Sequence, residues 1–220
     1  MNTPHTRDSL LDAAERLFAL HGVDGASVRE ITHQAGANLA SVNYHFGGKE
    51  ALLREVLLRR VRNLIDERNR MLALAVEAAG RKPPTVRSVI NAFIFPTVRM
   101  SAEFPHFAKL LARVQFEGMF QVVGEMVERT FHDSLHSFVE QLKRALPRLT
   151  PEEIRLRLVF SVGSFALVAM NMKMICATVK LPPVEQDPAG LANRLVDFCA
   201  AGMEATPAPA PRRPRKGAKR

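Results

Sequence analysis

The chain has 220 residues and a mass of 24.5 kDa, enough for one large or two small domains, and its 47% hydrophobic content supplies a real core. There is no run of about 18 apolar residues, so no helical membrane span is expected; no basic-then-apolar leader opens the sequence, so secretion is not expected; and the two cysteines, Cys176 and Cys199, lack metal-binding spacing and fit a reducing, cytoplasmic setting. The net charge of +9 is unevenly placed: residues 205–220 carry +6 with no acid, whereas residues 1–62 hold eight Lys/Arg against seven Asp/Glu, so bulk charge does not establish nucleic-acid binding in that segment.

Helical periodicity runs almost throughout and strand signals are nearly absent, which predicts an all-α chain. The first helix spans about 6–21, with Leu10, Leu11, Ala14, Leu17 and Phe18 on one face, and Gly22 ends it. Ser27-Val28-Arg29-Glu30 reads as a capping box opening a second helix, with Val28, Ile31 and Ala35 inward and Gly36 as its stop. Asn38 is placed to cap a third helix over about 39–45. A fourth runs from about 48 to 79 and turns apolar after Met71. Gly80-Arg81-Lys82-Pro83-Pro84 is the clearest break. Thr85 then caps a helix over about 85–101 that Pro96 should kink or shorten. Further helices are expected at about 104–116, 119–146, 151–179 and 188–204, followed by a disordered Ala/Pro-rich and basic tail over 205–220.

The third helix carries the most informative pattern. At about 100° per residue, Leu39, Val42 and Phe46 fall together and should face the first two helices. Ala40, Ser41, Tyr44 and His45 should point away, with Asn43 at the flank. Small polar residues on an outer face permit close approach to base edges. Asn43 can pair with adenine N6 and N7, and Ala40 can meet a thymine methyl. Tyr44 and His45 can donate to phosphates. Lys49 adds charge at the positive start of the fourth helix. Ser27 can offer its hydroxyl and backbone N–H to phosphate, and Arg29 can reach phosphate or guanine. Three merely packed helices, with His45 and Lys49 as ordinary surface residues, would explain the angular pattern alone equally well.

Residues 6–53 resemble the DNA-binding domain of TetR-family transcriptional regulators. The resemblance is carried by Ala13-Ala14-Glu15-Arg16-Leu17-Phe18, His21-Gly22, Ser27-Val28-Arg29-Glu30-Ile31, Ala35-Gly36, Tyr44-His45-Phe46 and Lys49-Glu50-Ala51-Leu52. It implies an N-terminal three-helix helix-turn-helix domain, residues 1–47, and a C-terminal helical ligand-binding and dimerisation domain, residues 48–204. It also implies phosphate contacts at Ser27, Tyr44, His45 and Lys49, and groove contacts at Arg29, Leu39, Ala40, Ser41 and Asn43. Many members carry an aromatic residue where Asn43 stands. The string from Asn38 to Gly47 is similar to a narrower branch, some of whose members respond to fatty acyl compounds or drugs.

In the second domain, Phe93, Phe95, Phe104, Phe107, Phe116, Met119, Phe120 and Met126 supply soft apolar surface on successive helices. A cavity among them would take an elongated apolar molecule, although core packing accounts for most of them. Arg99, Arg113, Asn91, His106 and Gln115 are polar groups available to anchor a head group. The segment from Leu156 to Val179 is apolar on more than one face, with Gly163, Ser161 and Ser164 permitting close approach. Leu158, Val162, Phe165, Ala166 and Ala169 are therefore the expected dimer contacts, paired with the last helix of each chain in a four-helix interface.

Other readings have less in the sequence to support them. His132 and His136 stand one helical turn apart, but no third ligand is evident, so no metal is expected. Cys176 and Cys199 read as small buried hydrophobes rather than a redox pair. No catalytic triad, phosphate loop or dinucleotide motif occurs, so neither an enzyme nor a cofactor is expected. The reading is a homodimeric regulator, a repressor, that binds a near-palindromic site on double-stranded DNA and is released by a small hydrophobic effector; a helical adaptor that does not bind DNA, or an enzyme, is the alternative.

Overall fold

The structure, a computed structural model, describes residues 4–116, 120–180 and 187–206, with side chains throughout those spans except at 4, 115–131, 133, 166–176 and 188. Phe116, Phe120, Ala166, Ala169, Met119, Met126, Gln115 and Cys176, and the tail from residue 207, accordingly lie outside the described side chains or residues.

Among the described residues the regular structure is helical: α1 (Pro4–Gly25), α2 (Val28–Gln34), α3 (Ala40–Phe46), α4 (Lys49–Ala79), α5 (Val86–Glu103), α6 (Pro105–Phe116), α7 (Phe120–Ala145), α8 (Pro151–Val179) and α9 (Pro188–Glu204). No described helix is long and apolar enough to cross a membrane.

The starts and stops follow local chemistry. The regular part of α1 ends at Gly22, whose φ of 76° and ψ of 170° are open to glycine and costly for other residues. Ser27 caps α2 through the full reciprocal box: its hydroxyl accepts from the Glu30 N–H, and the Glu30 carboxylate accepts from the Ser27 N–H. Gly47, at φ 82°, closes α3. Thr85 caps α5 by accepting from Ser88 N at 3.1 Å.

Two expectations at helix ends are corrected. Asn38 does not cap α3; the cap position is Leu39, with no side-chain bond, and Asn38 instead holds Ser41 through its carbonyl and its Oδ1. Pro96 neither ends nor shortens α5, which continues to Glu103. The proline removes the donor to one carbonyl of the preceding turn, and this turn is braced from outside. Phe93 O accepts from Arg68 Nε at 2.9 Å and from Thr97 Oγ1 at 3.2 Å.

Apolar faces gather into two clusters. The first joins Leu10, Leu17 and Phe18 of α1, Ile31 of α2, Val42 of α3, the first half of α4, and Phe107, Leu110 and Val114 of α6. Packing therefore carries α6 into the core of the N-terminal helices, across the boundary expected at residues 47 and 48. The second cluster joins Leu72 of α4, residues of α5 from Val86 to Val98, Phe138 and Leu142 of α7, Ile154 and Leu158 of α8, and Val196 and Met203 of α9. Each large side chain fully buried in this way stabilises the fold by about 1.5–3 kcal/mol.

Candidate nucleic-acid interface

The turn between α2 and α3 is set by Gly36 at φ 63° and by the Ala37 N–H, which donates to Thr32 O at 2.9 Å. Arg16 ties α1 to the end of α2 through Gln34, at 2.7 Å. Val42 is fully buried beneath α3 and Phe46 packs against the same cluster, so the helix has a fixed inner side. The Arg7 guanidinium lies over the Phe46 ring at 5.3 Å and pairs with Glu55 of α4.

The outer side presents Leu39, Ala40, Asn43 and Tyr44 to solvent, with Tyr44 at 74% exposure. Leu39 is 51% exposed rather than turned inward, because the helix proper begins at Ala40 and the helical angle does not extend to the residue before it. Ser41 is corrected in the opposite sense. It is buried, its hydroxyl donates to Asn38 Oδ1 at 2.9 Å, and it does not lie on the outer face. His45 is half-buried, in edge contact with the Tyr44 ring at 5.1 Å, and its Nε2 is enclosed without a hydrogen-bond partner.

The expected phosphate donors are differently disposed. Arg29 is exposed and its guanidinium makes no hydrogen bond or ion pair among the described residues. Lys49 is the first residue of α4, with Nζ 3.4 Å from Asp24 O. Ser27 is already engaged: its N–H and hydroxyl both donate to the Glu30 carboxylate. Those bonds hold the Glu30 carboxyl below its usual range. Ser27 therefore has to exchange Glu30 for a phosphate before it can bind one.

The expected ligand residues do not form one group. Arg99 and Phe104 line a small cleft, open to solvent, with Arg60, Asn63, Leu64, Glu67, Pro96, Met100 and Glu103. Its charges are paired: Arg99 bonds Glu67 at 3.1 Å, and Arg60 lies 3.7 Å over the Phe104 ring while its Nε donates to Glu15 of α1 at 3.0 Å. Phe93 is buried in the second cluster, edge-on to Phe138. Phe107 is fully buried in the first cluster and does not line the cleft. Arg113 lies against Gly22 of α1.

Of the α8 residues expected at a dimer contact, those described lie toward the chain's own core. Leu158 is fully buried in its own chain, and Val162 and Phe165 pack on the same cluster, because α7 and α9 cover that side. The exposed apolar stripe is Leu156, Val159 and Phe160, at 47%, 59% and 61%, joined by Phe198 of α9 at 69%. The signal was present in the sequence as the spacing 156, 159, 160, 163, but in a helix apolar all round it does not stand out.

Residues 10–56 match the family described as bacterial regulatory proteins, tetR family, and residues 91–202 match the tetracyclin repressor-like C-terminal domain. The chain is 32% identical over 87 residues to the HTH-type transcriptional regulator BetI of Brucella abortus, a stretch covering 40% of this chain and 42% of that protein. It is 34% identical over 82 residues to the HTH-type transcriptional repressor AcnR of Corynebacterium efficiens, covering 37% and 34%. The chain thus matches less than half the length of these curated relatives. Its fold is shared, at 18% identity and a TM-score of 0.58, with the transcriptional regulator FadR of Bacillus subtilis solved in complex with stearoyl-CoA, over 89% of this chain and 98% of that one.

Proposed function

The chain belongs to the TetR family of transcriptional regulators, and on that premise we propose that it is a homodimeric repressor that holds operator DNA with α3 and releases it when a small apolar effector binds the C-terminal domain. The observation that carries this reading is the division of α3 into a buried side at Val42 and an exposed side at Ala40, Asn43 and Tyr44, with Arg29 and Lys49 flanking it. Side chains on that outer face are short enough for contact with base edges, while the flanking cations and the Tyr44 hydroxyl suit phosphates.

The exposed apolar residues Leu156, Val159, Phe160 and Phe198 support two-fold pairing. Gly163 and Gly202, with open space where a Cβ would stand, allow close backbone approach on the same helices. A second copy presenting the same patch covers it isologously. Two α3 helices then enter major grooves about one helical turn, about 34–36 Å, apart.

The cleft offers a route for the effector signal. Arg60 connects Phe104, at the α5–α6 junction, with Glu15 of α1. A ligand that prefers one arrangement of that junction shifts α1 and the spacing of the two α3 helices, by no more than its difference in affinity for the two states. The stearoyl-CoA bound by FadR makes acyl compounds the first class to test.

The test is operator selection from random duplexes followed by fluorescence anisotropy. The expected result is a near-palindromic site bound by a dimer and weakened by an acyl compound. Failure to enrich any sequence would favour the adaptor reading.

A further inference from the structure

We propose that Arg68 of α4 receives the anionic group, a carboxylate or a phosphate monoester, of an otherwise apolar ligand held between α4, α5 and α7; this rests on the effector reading above and gives the effector its chemical class.

Arg68 is 7% exposed and sits among the apolar side chains of the C-terminal core. Its Nε donates to Phe93 O at 2.9 Å, one Nη donates to Thr97 Oγ1 at 2.7 Å, and the guanidinium lies 4.0 Å over the Phe93 ring. No carboxylate pairs with it among the described residues. Arg157, equally buried, shows what a fully met arginine looks like here: it bonds Glu153 at 2.8 Å and the carbonyls of Gly202, Met203 and Ala205. Burial pushes Arg68 down to about 9, so it keeps its charge at neutral pH. Two hydrogen bonds and a ring face compensate such a buried cation only in part, and an anion offsets the remaining solvation cost.

The site also has donors to spare. Arg68 Nη1 makes no hydrogen bond among the described residues, and Ser134 Oγ of α7 is wholly enclosed without a partner. Ser134 stands one turn before Phe138, whose ring packs edge-on to Phe93, so it belongs to the layer where α5 meets α7. The open cleft is lined by Leu64 and Glu67 on α4 and by Pro96 and Met100 on α5, neighbours in sequence of Arg68 and Thr97, which do not themselves line it. Phe93, Leu72 and Phe138 surround the layer with apolar surface that suits a hydrocarbon body but not a free inorganic ion.

The experiment measures binding to the full-length protein by thermal shift and calorimetry with decanoate, decyl phosphate and uncharged decanol, with acetate and inorganic phosphate as head groups alone. Wild type should bind one or both charged probes more tightly than decanol, the better of the two identifying the head group, and should bind the bare head groups weakly. Arg68→Met should weaken the charged probes by about tenfold or more, as loss of a charged hydrogen-bond donor does, and leave decanol unchanged. Arg68→Lys should keep a reduced preference for the charged probes, and it decides the matter should the methionine variant not fold. The proposal is overturned if wild type does not distinguish decanoate and decyl phosphate from decanol, or if the Arg68 variants lose all three probes alike, the mark of a purely structural brace. DNA binding is not the readout. Absence of an operator would sink the regulator reading and leave the anion result standing.

Discussion

Gly22 and Arg113 touch where α1 meets α6: a Cβ on Gly22 would lie 3.0 Å from Arg113 Nη1. Gly22 also holds a backbone conformation, φ 76° and ψ 170°, that glycine adopts almost alone. Gly22→Ala should therefore destabilise the fold by about 1–3 kcal/mol from backbone strain, with a further increment from Arg113. Urea unfolding of Gly22→Ala, Arg113→Ala and the double variant separates the two. The double variant should recover the steric increment only. A Gly22→Ala midpoint equal to wild type would show that this turn adapts freely.

Lys49→Ala should weaken DNA binding across all sequences and reduce the salt slope by about one, with little change in stability, because Lys49 Nζ makes only a 3.4 Å contact with Asp24 O. Tyr44→Ala, at a residue 74% exposed, should behave likewise in unfolding. Anisotropy titrations over a salt series check both. A Lys49→Ala slope equal to wild type removes Lys49 from the phosphate contacts.

The Ser27–Glu30 box should be visible in acid. The Glu30 carboxyl is held low by hydrogen bonds from Ser27. Its contribution is present above the ordinary carboxylate value of 4.5 and is lost as the pH falls below it. Ser27→Ala should cost about 1 kcal/mol near neutrality, and Glu30→Gln should flatten the acid limb of stability against pH. Denaturation midpoints at several pH values provide the measurement, and an unchanged acid limb in Glu30→Gln would contradict this account.

The two sides of α8 should respond oppositely to substitution. Phe160→Asp, at an exposed position, should leave monomer stability within about 0.5 kcal/mol while dissociating the dimer in sedimentation. Leu158→Ala, at a fully buried one, should cost about 2–5 kcal/mol of stability. Phe160→Asp sedimenting as a dimer would move the interface elsewhere.

Helix number, order and most boundaries were legible because their signals are local: the Ser27 box, the Thr85 cap, the glycines at 22 and 36, and the apolar period of Leu10, Leu11, Ala14, Leu17 and Phe18. Ser41 was misplaced because a seven-residue helix has too few positions for an angular reading to resolve its flank, and Asn38 engages its hydroxyl. The shift from Leu158 to Phe160 was not legible, since a helix apolar on every side does not reveal which side its own chain covers.

What the sequence determined by itself was the set of elements and the composition of α3, because hydrogen bonds and caps within a few residues fix them. Tertiary structure alone decided that α6 joins the core of the N-terminal helices, that Leu158 is buried while Phe160 stays exposed, and that Arg68 stands buried without a paired carboxylate among the described residues. Each of these depends on which distant helix arrives at a surface. Burial and charge pairing are properties of that encounter rather than of either segment.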